Sequence, residues 1–287
     1  MVIMRFRLLP GIILILLIVV LIVSYFFTKS NEAFLPEKKP PIVRQHNPIS
    51  TTSAAMNMPD KIKLPIITYH YVENVQDPGD TTRIKLAISP FLFENQLKLL
   101  KEASYSSYFV KDIPQILQGK EKLQDKSIVL TFDDGYKDIY TDAFPLLKKY
   151  QIKGTLFIVA NFIGRQGFMT QNEIQEMLQS GLIEVGAHSL SHPNLVSLPL
   201  VKARQQIFDS KKILEDMFNI QVKTFAYPGG SFNDDVINLV KEASYEAAVT
   251  TKPGVYSTRD KLLTLPRLRS GYLFLRTIQL FFDKFIQ

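Results

Sequence analysis

Between residues 65 and 250, six short apolar runs alternate with stretches of helical periodicity, and that alternation restricts the chain to few folds. The runs are 65–69, 127–132, 155–160, 183–187, 222–227 and 246–250. Helix signals fall between them. Ser89-Pro90 pairs an N-cap with a proline at the first helical position. Thr170 and Glu173 have capping-box spacing, and Gly181 sits where a left-handed residue ends a helix. Further helices are expected near 138–150, 199–218 and 233–244. Strands that are apolar on both faces, separated by helices, belong to a parallel sheet with covered faces. Six such units predict an α/β fold, a closed or distorted (β/α) barrel. In that fold the chemistry collects at the C-terminal ends of the strands.

The residues at those ends are not ordinary loop residues. The second run passes into Asp133-Asp134-Gly135, and the fourth into His188-Ser189-Leu190-Ser191-His192. Carboxylates placed directly after a buried strand are costly unless something binds them. Two histidines four apart share one face of a helical turn and can converge on one cation. Each pair also has a plainer reading, as a helix N-cap or as loop histidines. The chain has no Cys and four His, which excludes thiolate-held zinc, iron–sulfur clusters, thiol nucleophiles and disulfides. Any metal must then be held by His, Asp or Glu, and the two clusters together suit a two-His, one-carboxylate site. Ala226-Tyr227-Pro228-Gly229-Gly230 ends the fifth run in a turn that could aim a backbone N–H at a pocket.

Thr131-Phe132-Asp133-Asp134-Gly135, His188-Ser189-Leu190-Ser191-His192 and Phe225-Ala226-Tyr227-Pro228-Gly229 resemble, in order and spacing, three motifs of the polysaccharide deacetylase (NodB-homology) family. The resemblance covers roughly residues 62–270 and implies metal-dependent removal of acetyl groups from N-acetylhexosamine polymers. By position it implies Asp134, His188 and His192 as ligands of one divalent ion, zinc first, with cobalt or nickel as alternatives. It implies Asp133 as the general base and the Tyr227 backbone N–H as an oxyanion donor.

The chain departs from the family pattern in two places. Many members supply the general acid as a histidine near the C-terminus, and no His follows His192. His46 lies in the proline-rich stretch before residue 61, whereas His70 directly follows the first run, so His70 is the expected acid. The plainer reading is a structural strand-end histidine. The Tyr69-His70 pair resembles the branch acting on poly-N-acetylglucosamine, which makes that polymer the expected substrate. Peptidoglycan, chitin oligomers and acetylated xylan are the alternatives, as is a catalytically silent glycan-binding protein. Many relatives also orient the base with an Arg in the third motif, where this chain has Ala226. Arg267 could replace it. There is no Trp, which leaves Tyr or Phe to stack on sugar rings.

Outside the 61–287 catalytic body, Leu8–Phe27 is 20 residues without a charge, 17 of them apolar, enough for an α-helix to cross a bilayer. Arg5 and Arg7 precede the run and Lys29 follows it, favouring a cytoplasmic N-terminus and an extracellular body. It ends without a small-residue cleavage pattern, so a signal anchor is expected rather than a cleaved signal peptide. Residues 28–60 carry five prolines and no sustained period, and read as a tether. The body has 28 basic and 24 acidic residues, too mild a balance for nucleic acid. Tyr272–Ile286 reads as an amphipathic helix packed on the barrel, with a membrane surface as the alternative.

Overall fold

The protein is described from a computed structural model, in which residues 60–270 are placed. The expected membrane anchor at 8–27, the tether up to residue 59 and the C-terminal segment 272–286 lie outside the described residues. Among the described residues no helix is long and apolar enough to cross a membrane.

Among the described residues, twelve strands and seven α-helices follow in chain order. The first part is β1 (Lys61–Lys63), β2 (Ile66–Tyr69), β3 (Tyr71–Val72), α1 (Thr81–Leu86), β4 (Ala87–Ile88), α2 (Pro90–Glu102), β5 (Ser106–Tyr108) and α3 (Ile113–Leu117). The centre is β6 (Ser127–Asp134), α4 (Phe144–Tyr150), β7 (Gly154–Ile158), α5 (Gln171–Gln179), β8 (Ile183–Ala187) and α6 (Leu200–Phe218). The last part is β9 (Thr224–Ala226), α7 (Asp234–Glu242), β10 (Ala247–Val249), β11 (Tyr256–Thr258) and β12 (Leu268–Arg269). The main sheet runs β10-β9-β8-β7-β6-β2-β12, with β5 also paired to β6, and its pairings are parallel.

The expected barrel is a curled, open sheet. β10 and β12 are its two ends, and a single parallel bridge between Val249 and Leu265 reaches across the gap. The segment leading into β12 meets the β10 side through three backbone hydrogen bonds, Leu265 N–H to the Ala248 carbonyl, Thr250 N–H to the Leu265 carbonyl and Arg267 N–H to the Lys252 carbonyl.

The local signals act as chemistry requires. Ser89 accepts from the Leu92 N–H and starts α2 with Pro90 inside the first turn. Thr170 and Glu173 form the reciprocal capping box of α5, and Gly181, at φ +70°, follows it. The helix expected near 138–150 begins instead as a π-helical turn, Ile139–Ala143, before α4.

Alternate residues of β6 divide the interior into two compartments. Ile128, Leu130 and Phe132 pack with Phe93, Leu97 and Leu147 under the helices. Val129 faces the other way, into a cluster with Ile66, Phe157, Ala226 and Val249 on the concave face. Burying a side chain of this size contributes about 1.5–3 kcal/mol, so slipping β6 by one residue would forfeit both clusters. The same alternation continues along the concave face through Thr131 to Asp133, at the C-terminal end of the sheet.

Candidate active site

β6 runs two residues past its expected end, so Asp133 and Asp134 both belong to the strand. Consecutive side chains on a regular strand point to opposite faces. Asp134 escapes that rule with a left-handed backbone, φ +73°, followed by Gly135 at φ +86°. The break brings two adjacent carboxylates to one site. Asp133 is 2% exposed and Asp134 8%.

Asp134, His188 and His192 offer ligand atoms that all lie within 4.8 Å of one another. Asp134 Oδ1 is 3.5 Å from His188 Nε2 and 3.4 Å from His192 Nε2. Atoms about 2.1 Å from one tetrahedral ion stand about 3.4 Å apart, so this spacing fits a shared cation. The histidines get there without the expected helical turn. Residues 188–192 form a loop with Ser189 at φ +63° and His192 at φ +61°. The Ser189 hydroxyl accepts from the His192 N–H at 3.0 Å and closes the loop. Upstream, Gly186 makes room, because a Cβ there would lie 2.5 Å from Thr224 Oγ1.

The electrostatics also suit a cation. Burial, and then the charge of Asp133, push the Asp134 carboxyl up to about 6. Burial pushes His188 down to about 3 and lowers His192 as well. Neutral imidazoles beside a strained carboxylate do not make an ion pair. Instead they leave Asp134 Oδ1 buried without a hydrogen-bond partner, a costly state that a metal ion would relieve. His188 Nδ1 lies 2.7 Å from the Ala226 carbonyl, which fixes the proton on Nδ1 and turns the Nε2 lone pair toward Asp134.

Asp133 is held quite differently. Arg267 donates Nη1 to Oδ1 and Nη2 to Oδ2, both at 2.7 Å. The guanidinium is itself fixed by Thr131 Oγ1 at 3.0 Å and the Thr250 carbonyl at 2.9 Å. Burial alone would raise the Asp133 carboxyl, but the Arg267 charge and hydrogen bonds hold it well below the usual carboxylate range. His70 Nε2 lies 4.0 Å from Asp133 Oδ2. The structure therefore brings Asp133, Asp134, His70, His188, His192 and Arg267 together.

Tyr227 is corrected. Its backbone N–H continues the pairing of β9 with β10 and donates to the Val249 carbonyl at 3.2 Å, so it is not free for an oxyanion. Two supporting groups escaped the sequence reading. Thr131 could have been found by counting two residues back along the strand from Asp133. The Ala226 carbonyl carries no side-chain signal. Tyr71 and Tyr136 stack with centroids 4.0 Å apart, and Tyr136 and Phe168 at 5.0 Å. These rings spend their faces on one another.

The polysaccharide deacetylase family matches residues 120–248, which contain the three motifs quoted above. YxkH of Bacillus subtilis, whose name places it among the polysaccharide deacetylases, is 32% identical over 234 residues, 82% of this chain and 80% of its own. The poly-beta-1,6-N-acetyl-D-glucosamine N-deacetylase of Staphylococcus aureus is 29% identical over 195 residues, 63% of this chain and 67% of its own. The solved structure of Streptococcus pyogenes deacetylase PplD in complex with acetate superposes with a TM-score of 0.69 at 30% identity, covering 75% of this chain and 98% of that one. With its motifs folded into one Asp-His-His cluster beside an arginine-held carboxylate, the chain belongs to the polysaccharide deacetylase family and is a deacetylase hydrolase.

Proposed function

We propose that the protein removes N-acetyl groups from an extracellular N-acetylglucosamine polymer, with poly-N-acetylglucosamine first, in a reaction that depends on a divalent ion, zinc before cobalt or nickel. The observation that carries this reading is the orphaned Asp134 Oδ1 between two imidazole nitrogens, next to Asp133. The Staphylococcus aureus relative named above favours the choice of polymer.

A divalent ion on Asp134, His188 and His192 would polarise the amide carbonyl and acidify a water. The remaining work falls to this chain's own side chains. Arg267 keeps Asp133 ionised and fixes its plane, and Asp133 receives the proton of the attacking water. His70, on the same side of the site, gives a proton to the departing nitrogen, without which the tetrahedral intermediate would collapse back to the amide. Water adds to the acyl carbon, the C–N bond breaks, and acetate and a free amine leave. The run 8–27 would anchor the enzyme in the cell membrane with its N-terminus in the cytoplasm, and 28–60 would tether the catalytic body outside.

The test is acetate release from N-acetylglucosamine oligomers with and without chelator. Release that stops with chelator and returns with zinc is expected, as is a loss of about 100-fold or more in His70→Ala with metal binding intact. Absence of chelator-sensitive release from every N-acetylglucosamine polymer would sink the reading and favour glycan binding or an acetylated-xylan substrate. Wild-type rates in His70→Ala would remove the histidine from the mechanism.

A further inference from the structure

His70 stands at a break in the backbone. It lies between β2, which ends at Tyr69, and the two-residue β3, Tyr71–Val72. Before the break the chain is held by the main sheet, where Tyr69 pairs with Phe132 of β6. After it, β3 pairs with β4 in a separate two-stranded sheet. Asp133 Oδ2, at 4.0 Å, is beyond hydrogen-bond reach of the His70 ring. Among the described residues no hydrogen bond fixes that imidazole, so its place is set by where the backbone turns.

The main body takes hold again through Asp138. Its Oδ2 accepts from the Val72 N–H at 2.5 Å, across 66 residues of chain. An Asp at a helix N-cap ordinarily accepts from its own first turn. Asp138 stands at that position before the π-helical turn, yet its side chain makes no such bond. It is 9% exposed, and burial before anything else pushes its carboxyl up to about 6. An acid kept that dry is costly. Among the described residues no ion pair answers it, and Arg83 Nε lies 3.2 Å from Glu73 Oε1 instead. Tyr71 is tied to the same stretch by its stack on Tyr136. Residues 134–138 thus carry a candidate metal ligand at one end and the anchor of β3 at the other.

We propose that Asp138 is a positioning residue for the general acid: its hold on Val72 fixes the backbone turn at His70 and so sets where the imidazole stands relative to Asp134. It acts through the backbone rather than on the reacting atoms. The inference rests on the deacetylase reading and deepens it by adding the group that places the proton donor. Placement decides general acid catalysis, since the donor must come within about 3 Å of the departing nitrogen and an error of about 1 Å can cost about 100-fold. Asp138 works by reach and by accepting a hydrogen bond, not by charge. An acceptor of the same reach can therefore replace it, and a longer carboxylate cannot.

Steady-state kinetics of the full chain with zinc test this. Asp138→Ala should lower kcat about 10–100-fold, with KM within about twofold and zinc binding unchanged. Asp138→Asn, which keeps the acceptor and the reach, should stay within about threefold of wild type. Asp138→Glu, which keeps the charge but not the reach, should lose activity as Asp138→Ala does. In a His70→Ala background, Asp138→Ala should cost less than about twofold more, because the group it places is gone. An equal loss in both backgrounds, a wild-type rate in Asp138→Ala, or activity in Asp138→Glu but not in Asp138→Asn overturns the proposal. If Asp138→Ala does not fold, the Asn and Glu variants decide. Histidine-ring NMR of the same proteins needs no turnover. The His70 signals, assigned by their loss in His70→Ala, should move in Asp138→Ala and Asp138→Glu and hold in Asp138→Asn, with those of His188 and His192 undisturbed. Unmoved His70 signals overturn the proposal. Missing acetate release would count against the deacetylase reading alone and leave the ring signals to decide the role of Asp138.

Discussion

Asp133 and Glu184 are both buried carboxylates on the concave face of one sheet, 2% and 4% exposed. Register ties them to the same surface: Thr131, two residues before Asp133, pairs with Thr155, and Thr155 pairs with Glu184. Their surroundings give them opposite characters. Asp133 has a guanidinium on both oxygens and is held down as a permanent anion. Glu184 has only neutral donors: Thr155 Oγ1 at 2.7 Å, Thr224 Oγ1 at 2.8 Å and the Lys111 N–H at 3.3 Å. Burial pushes its carboxyl up, and those donors offset the shift only in part. A formal charge supplied by a partner, more than depth, decides which buried acid stays ionised. The ionised one is at the strand ends with the histidines. The other ties β7, β8 and β9 to the turn that begins α3.

Three substitutions probe that contrast, in descending order of effect. Asp133→Asn should lower acetate release by about 1,000-fold or more while the folded chain still binds zinc, since the proton acceptor is lost and none of the three candidate ligands is. A rate within tenfold of wild type would remove Asp133 from the chemistry. Arg267→Met leaves Asp133 buried without its counter-charge and should lower the unfolding free energy by about 3–5 kcal/mol, read from urea titration at neutral pH. A loss below about 1 kcal/mol would mean that the pair is not what holds the anion.

Glu184→Gln should be the mildest, within about 1 kcal/mol of wild type at neutral pH and with ordinary activity, because an amide can meet the same hydroxyls. Its pH dependence carries the sharper information. The folded pKa of Glu184 lies above its unfolded value, so folding favours the protonated acid. The wild type is therefore most favoured where both states are protonated, and it loses ground as pH rises from about 4 through the folded pKa. The stability of Glu184→Gln relative to wild type should climb over that range. A flat difference would mean an unshifted carboxyl, and one that falls over that range would mean an acid held ionised like Asp133; either would break the contrast.

Much of this arrangement is legible in local sequence because its causes are local. Capping at Ser89 and Thr170 depends on side chains within three residues, and both caps form as read. The convergence of Asp134 with His188 and His192 follows from parallel strands ending together, even though the loop carrying the histidines is not helical. Arg267 was reachable by asking which cation could answer Asp133 once Ala226 had taken the usual place. Tyr227 failed for a reason no motif displays: whether its N–H is spare depends on how far β10 pairs alongside β9. The distorted barrel takes the form of a curled half-barrel, and how far it closes depends on contacts between β10 and residues 265–267 that no local pattern displays.

The 134 residues that separate Asp133 from Arg267 put the site on a timetable. All three candidate metal ligands exist once residue 192 has been made, but the cation that lets Asp133 sit dry and charged arrives only with residue 267. Until that late segment docks, the proposed base is an uncompensated anion and draws water into the mouth of the sheet. On the proposed mechanism, a molecule interrupted before Arg267 would keep the three candidate ligands yet lack the charge that holds Asp133 ionised.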